Sequence, residues 1–375
     1  SSGRVAEARA HARVVHVIAH THWDREWYLP AGRFRQRLVA LIDELLDDSA
    51  PRAPFLLDGQ AVVLDDYTDV RPERADDLAA ALRDGTIEAG PWYVLADELI
   101  PSGEALVRNL LAGRRTLHRF GAESPPVLYS PDAFGHPAAL PLIARGFGFD
   151  LVIVWRGYGG ARWPAGDTVR WRAPDGSTAT LFHLPPDGYE FGSSLPAGAA
   201  AASDRWRTIE TTLAPRSRTG LLLVQNGADH RARQADQLDA VRALARAASP
   251  ARVVRATLRE FAAELLQRSA DIALPEISGE LRDSYGYTWT LQGTFATRAR
   301  QKRRNAQVER LLVRDAEPWA ALVVRLGGAS RRHLTRSAWR SVLLSHPHDT
   351  LCGCSIDEVA RAMDARLDDA MTQAV

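Results

Sequence analysis

The sequence lacks what extracellular, membrane-borne and nucleic-acid-binding proteins usually carry. Only two of its 375 residues are cysteine, Cys352 and Cys354. Thiols one residue apart are poorly placed for an ordinary disulfide, so a reducing, cytoplasmic setting is expected. Nowhere do about 18 apolar residues run together, and the stretch from Ser1 to Arg13 has no apolar run before the strand-like Val14–Ala19; no membrane span or signal peptide is read. Neither sign of charge dominates. The 47 basic and 46 acidic residues leave a formal net charge of +1 and are spread along the chain. That spread offers no footprint for nucleic acid or an anionic membrane, and a neutral substrate is expected. The basic residues are almost all arginine, which is read as a GC-rich coding bias and given no functional weight. There is no Gly-rich phosphate loop, no G-x-S-x-G elbow and no C-x-x-C pair, which argues against a nucleotide enzyme, a serine hydrolase and a thioredoxin-like protein.

What is present is a soluble-globular balance, 46% hydrophobic and 25% charged, in a chain long enough for one large and one smaller domain. Up to about Gln267, short apolar, β-branched runs alternate with longer helical patterns, the signature of an α/β layer or barrel with parallel strands. The expected strands are Val14–Ala19, Phe55–Leu57, Ile87–Tyr93, Val127–Tyr129, Leu151–Trp155 and Leu221–Gln225. A hairpin is expected around Pro174-Asp175-Gly176, from Val169–Arg172 to Ala179–His183. Beyond about Ala270 the runs Thr297–Leu312, Ala316–Leu326, Arg336–Leu344 and Ile356–Met371 all have helical spacing, with no comparable strand. The division expected is therefore 1–270, α/β, and 271–375, helical.

Polar residues that need explaining fall just after the expected strands, where the loops of parallel α/β proteins line active sites. After Val14–Ala19 comes His20-Thr21-His22-Trp23-Asp24-Arg25-Glu26-Trp27. His22 and Asp24, two residues apart, point to the same side of an extended segment and pair imidazole with carboxylate, a sound donor set for a zinc-like cation; alone, they can equally cap and hydrogen-bond a strand end. After Val127–Tyr129 comes Ser130-Pro131-Asp132-Ala133-Phe134-Gly135-His136. Asp132 reads either as a catalytic acid or as the N-cap of a helix over Ala138–Arg145. After Leu221–Gln225, Asn226-Gly227-Ala228-Asp229-His230 presents Asp229 at a strand tip or forms a simple Asn-Gly turn with a solvated carboxylate. In the helical part, Pro347 and Gly353 force irregular backbone on Ser345-His346-Pro347-His348-Asp349-Thr350-Leu351-Cys352-Gly353-Cys354. The two thiols there could act as soft ligands, although a lone C-x-C is more often incidental. Two histidines and two aspartates around a metal, with a carboxylate to spare, are a hydrolase inventory.

Taken together, H-x-H-W-D-R-E-W at 20–27, D-x-F-G-H at 132–136, N-G-x-D at 226–229 and H-P-H-D at 346–349 resemble glycoside hydrolase family 38, the α-mannosidases, in order and distance. Phe55-Leu56-Leu57-Asp58-Gly59-Gln60, Gly90-Pro91-Trp92-Tyr93 and Gly279-Glu280-Leu281-Arg282 are similar to its bacterial branch, so the resemblance covers nearly the whole chain. It implies a distorted seven-stranded α/β barrel followed by a three-helix bundle, and then β domains that this chain stops short of. The resemblance further implies a retaining exo-α-mannosidase, with one divalent ion, zinc first and calcium or another divalent as alternatives, on His22, Asp24, Asp132 and His348. Asp132 would also be the nucleophile and Asp229 the general acid/base. Trp27 would stack under the mannose ring, Phe134 wall the pocket, and Arg156 and Asp349 hydrogen-bond near the nucleophile and to sugar hydroxyls. An α-mannoside is the expected partner, a homo-oligomer is allowed, and without β domains the 375-residue chain is expected to bind metal yet turn over poorly. Two rivals remain: a metal-dependent carbohydrate deacetylase, and an inactive mannose-binding fragment.

Overall fold

A computed structural model describes residues 13–47, 54–284 and 290–374. Its strands are β1 (Val14–Ala19), β2 (Phe55–Leu56), β3 (Ile87–Glu88), β4 (Leu128–Ser130), β5 (Leu151–Val154), β6 (Thr168–Arg172), β7 (Thr178–His183), β8 (Leu221–Asn226), β9 (Arg252–Arg255) and β10 (Glu276–Ser278). The α/β part carries α1 (Ala31–Asp47), α2 (Val62–Thr68), α3 (Ala75–Arg83), α4 (Gly103–Arg119), α5 (Leu140–Gly146), α6 (Ala199–Leu213), α7 (Gln237–Ala247) and α8 (Leu258–Ser269). The helical part carries α9 (Ala299–Leu311), α10 (Glu317–Arg325), α11 (Arg332–Leu343), α12 (His348–Cys352) and α13 (Asp357–Ala374).

Every residue of β1 and of β8 is buried, as the unbroken apolar runs VVHVIA and LLLV require of parallel strands covered on both faces. β1 lies between β8 and β9, pairing in parallel with each, so that His16 stands opposite Leu223 and Val254. A second sheet runs β10-β6-β7-β5-β4, parallel except for the β6–β7 hairpin at the expected place, and a third is the pair β2–β3. The three sheets approach one another through single bridges such as His20 to Leu56. Among the described residues strand pairing does not close a ring, which departs from the expected seven-stranded barrel: β2 and β3 are only two residues long and give a barrel wall too little edge to pair.

Ile87–Tyr93 is a strand only over Ile87–Glu88, because Gly90 takes φ +85° and Pro91 has no N–H for a ladder. β9 and β10 escaped the sequence reading. β9 is only four residues long, two valines between two arginines that never reach full burial, and β10 is three residues on an edge. Helix ends follow local chemistry: Thr257 and Glu260 form a reciprocal capping box on α8, and the buried Glu88 carboxylate accepts from the N–H groups of Leu258 (2.7 Å) and Arg259 (3.3 Å) at the same terminus.

In the helical part α9 and α10 form one run through a π-helical stretch, Leu312–Ala316; α9 and that stretch pack with α11 and α13 around Val308, Leu312, Val342, Met363 and Leu367, while α10 buries none of its residues. Ala105 of α4 joins that core, so the two parts share apolar packing. Polar ties reinforce it. The N–H of Asp97 donates to the carbonyl of His346 (3.1 Å), that of His348 to Leu95 (2.9 Å) and that of Ile356 to Trp27 (3.1 Å). Arg366 on α13 meets the fully buried Glu26, which also accepts from Thr350 Oγ1 at 3.0 Å. None of the helices is long and apolar enough to cross a membrane among the described residues.

Candidate active site

The tips of β1 and β8 are stitched together beyond their paired residues. The N–H of His20 donates to Asn226 O (3.2 Å), that of His22 to Ala228 O (3.3 Å), and that of His230 returns to His22 O (2.9 Å). This zipper holds Asp229 beside His22 and Asp24. One set of ligand atoms within 4.8 Å of one another is His22, Asp24 and Asp229; a second is His22, Asp132 and His348; a third is Asp24, His348 and Asp349. The sets overlap, so six residues from four places in the sequence form a single cluster. All but Asp229 are buried. The cluster borders a shallow recess lined by Trp23, Asp24, Gln60, Leu95, His348 and Asp349, while the larger clefts lie elsewhere.

Each imidazole is oriented by a partner on its far nitrogen. His348 Nδ1 lies 3.1 Å from Leu95 O, which turns Nε2 inward to 3.3 Å from Asp24 Oδ1 and 3.5 Å from Asp132 Oδ2. His22 Nδ1 faces Asp58 Oδ2 at 3.1 Å and its Nε2 faces Asp24 Oδ1 at 3.3 Å. Asp58 is itself fixed: it takes φ +84° and accepts from the N–H groups of Trp23 and Gly59, both at 2.8 Å. A far-side carboxylate or carbonyl on a histidine is the usual support for a metal ligand. The close approaches at the centre are not hydrogen bonds. Both ring nitrogens of His22, Nε2 of His348, Oδ1 of Asp24 and Oδ1 of Asp229 are buried without one. Buried polar atoms are rarely left so, and here four of them, all but the His22 Nδ1 that faces Asp58, gather in one cluster with a nitrogen and oxygen donor set suited to a hard or borderline divalent cation.

The carboxylates are not equivalent. Burial raises the Asp132 carboxyl, but the Arg156 guanidinium, whose Nε donates to Oδ1 at 2.6 Å, and the imidazoles of His348 and His22 outweigh it and hold the group below its ordinary value. Asp229 goes the other way. Burial, joined by the carboxylates of Asp24, Asp132 and Glu190, outweighs His22 and raises it. Tyr189 stacks at 4.6 Å from the His22 ring, near Asp229.

Phe134 stands edge-on to His348 at 5.4 Å, with Arg156 5.6 Å from its ring centre, so both border the cluster. Asp349 Oδ2 is 3.7 Å from His348 Nε2, and its Oδ1 meets Cys354 Sγ at 2.9 Å; Cys352 and Cys354 Sγ are 3.3 Å apart. Trp27 is half-buried, edge-on to Tyr28 at 5.0 Å, and packs against the main apolar core. Asp58, Tyr189 and His230 were not singled out by sequence. Asp58 alone left a signal, an acid before Gly at a strand end; His230 Nε2 accepts from the Asp24 N–H at 3.1 Å.

An α/β scaffold with carboxylates and imidazoles converging at strand tips is the frame of a carbohydrate-active hydrolase. Residues 12–295 match the glycosyl hydrolases family 38 N-terminal domain, and residues 289–375 match the alpha mannosidase middle domain. The chain therefore belongs to glycoside hydrolase family 38. It is 31% identical over 371 residues to a putative mannosylglycerate hydrolase of Halalkalibacterium halodurans, covering 95% of this chain and 41% of that one. An alpha-mannosidase of Saccharomyces cerevisiae is 27% identical over 362 residues, 92% of this chain and 32% of that one. Among solved structures, an alpha-mannosidase from Enterococcus faecalis V583 superposes with a TM-score of 0.90 at 30% identity, covering 96% of this chain and 41% of that one. The chain thus spans about two fifths of the length of these bacterial relatives.

Proposed function

We propose that this chain is the catalytic part of a retaining exo-α-mannosidase acting by double displacement. The observation that carries the reading is the meeting of two carboxylates, Asp132 from the tip of β4 and Asp229 from the tip of β8, at one imidazole, His22. Their environments push them apart, Asp132 towards the ionised form and Asp229 towards the protonated one, which is the division of labour a nucleophile and a general acid need. In the first step a carboxylate oxygen of Asp132 bonds to the anomeric carbon while the glycosidic bond breaks and Asp229 gives its proton to the leaving oxygen. In the second, ionised Asp229 takes a proton from water, whose oxygen bonds to the anomeric carbon and releases Asp132.

His22, Asp24, Asp132 and His348 would hold one divalent ion, zinc first and calcium or another divalent as alternatives. When bound it would supply a Lewis acid for the sugar's vicinal hydroxyls. Arg156 keeps Asp132 ionised and aimed, Phe134 forms an apolar wall, Asp349 receives sugar hydroxyls, and Trp27 offers a stacking face at the rim. The division into 1–270 and 271–375 is carried forward as a proposal; β10, at Glu276–Ser278, lies beyond it in sequence although it pairs with β6. The three small sheets would then be an opened form of the seven-stranded barrel and the three long helical runs the bundle. A bacterial, cytoplasmic setting fits the free thiols Cys352 and Cys354.

The test is hydrolysis of an aryl α-mannoside followed by proton NMR from the first minutes. α-Mannose is expected first. If β-mannose appears first the nucleophile role of Asp132 falls, and release of acetate from an N-acetylated sugar without mannoside cleavage would favour a deacetylase.

A further inference from the structure

The arginines, even in their spread along the sequence, are uneven in space. A cleft of about 470 Å³ between α4 and α11 is lined by six of them: Arg108, Arg115 and Arg119 from the first helix, Arg332, Arg336 and Arg340 from the second. Two carboxylates, Asp65 and Glu317, share the lining, and Glu104 and Asp69 pair with Arg108 (2.8 Å) and Arg340 (4.0 Å) from beside it, which leaves a formal excess of two positive charges. Those carboxylates are already engaged. Glu317 takes both Nη atoms of Arg108 and the Trp339 Nε1–H at 2.9 Å, while Asp65 takes Arg119 and the Tyr93 hydroxyl. Arg340 reaches the Tyr93 hydroxyl at 3.3 Å and lies 4.0 Å from Asp69. The side chains of Arg115, Arg332 and Arg336 have no hydrogen-bonding or carboxylate partner among the described residues. Arg332, Arg336 and Arg340 recur every four residues along one face of α11, a spacing at which like charges oppose the helix. Arg115 sits opposite them. Partial burial and the guanidiniums of Arg336, Arg108 and Arg332 make its protonated form harder to hold.

A crowd of unneutralised guanidinium forks around a concavity in the size range of small-molecule sites lacks its counter-charge. We propose that this cleft binds a small ligand carrying two or more phosphates, of which inorganic pyrophosphate is the simplest. Guanidinium groups match phosphate oxygens two at a time, and three unpaired guanidiniums from two facing helices match the spread oxygens of a diphosphate better than a single monoanion. Beside the charged rim the cleft has an apolar wall, Leu111, Leu343 and the Trp339 ring, with the Arg108 guanidinium 4.7 Å from that ring's centre. The site shares no residue with the carboxylate and imidazole cluster, so it stands whether or not the mannosidase reading does. Because one wall belongs to the α/β part and the other to the helical part, a bound ligand ties the two together and raises the melting temperature.

The experiment is calorimetric titration of the full 375-residue chain with pyrophosphate, with orthophosphate and sulfate at matched ionic strength. The protein is first stripped with a chelator and kept free of divalent ions, so that no phosphate is drawn to a cation elsewhere. Saturable one-to-one binding of pyrophosphate is expected, at least about tenfold tighter than of either comparator, with a rise in melting temperature. The double variant R115Q/R336Q should lose roughly tenfold or more of that affinity while its melting temperature without ligand does not fall, since the substitution relieves like-charge repulsion. Absence of saturable binding at millimolar pyrophosphate, equal binding of sulfate, or affinity unaltered in R115Q/R336Q would each overturn the proposal. So would capture of poly-glutamate in preference to pyrophosphate, which would assign the cleft to an acidic protein segment.

Discussion

Gly227→Ala tests whether the site depends on the close approach of two strand tips. A Cβ at this position would stand 1.9 Å from the carbonyl oxygen of His20, where even tight contacts are no closer than 3.0 Å. The tips of β1 and β8 must therefore part by 3.0 − 1.9 = 1.1 Å at least, and the obstacle is backbone, which no rotamer change can clear. The three bonds that stitch the tips are 2.9 to 3.3 Å long and would not survive such an opening intact. Overpacking of this kind costs about 1–3 kcal/mol, which in a chain of this size is a fall of several degrees in melting temperature. The more telling effect is positional, because Asp229 and His22 ride on opposite sides of the opened seam. A displacement of about 1 Å is worth on the order of 100-fold in turnover. Zinc affinity, read by competition with a chromophoric chelator, should weaken in G227A as well. Should the variant melt within about 1 °C of the parent and hold zinc equally well, the contact is not what fixes the site.

Further expectations concern the carboxylates, acid stability and the seam between the two parts. Asp229→Ala should spare the first step for good leaving groups and regain turnover with azide, whereas Asp132→Ala should lose activity and metal affinity together; azide rescue of the second and not the first would reverse the roles. Burial, then the Arg216 guanidinium, lowers the His183 imidazole from 6.5 to about 3, so the folded chain binds fewer protons than the unfolded one below pH 6.5. That stability is complete above pH 6.5 and is lost as pH falls towards 3, by up to ~5 kcal/mol at ~1.4 kcal/mol per pH unit. Denaturant melts of H183Q should show a shallower loss between pH 6 and 4.5, and a slope identical to the parent's would refute the assignment. Arg366→Met strands the buried Glu26 carboxylate and should destabilise the fold by about 3–5 kcal/mol. Equilibrium unfolding that shows less than about 1 kcal/mol would mean the pair is solvated and not a clasp.

Much of this was legible before any coordinates. β1 and β8 were readable as continuous apolar runs and the β6–β7 hairpin from its Pro174-Asp175-Gly176 turn, and four polar motifs stood at strand ends or on broken helix. The cluster itself depends on long-range closure. Nothing local says that His348 will turn its Nε2 towards Asp24, because its orientation comes from Leu95 O, 253 residues away in sequence. Asp58 was missed for the same reason, since its work is done through contacts to His22 and Trp23. Arginine count and net charge gave no hint of the cleft between α4 and α11, because charge summed along a chain is blind to which helix faces meet. The closed ring of strands was an inference from resemblance, and β2 and β3 are too short to supply it.

His348 follows Asp132 by 348 − 132 = 216 positions in the chain. A ribosome adding ~5–20 residues per second needs roughly 10–40 s to cross that interval. Throughout it the nascent α/β part can present Asp24, Asp132 and His22, but the second imidazole and the Arg366 that answers Glu26 do not yet exist. During synthesis those carboxylates must stay solvated and the seam that α12 and α13 will cover must stay open, a period of exposure to chaperones and proteases. Maturation of the centre is thus tied to completion of the helical segment, and a chain halted before residue 348 would carry half a site.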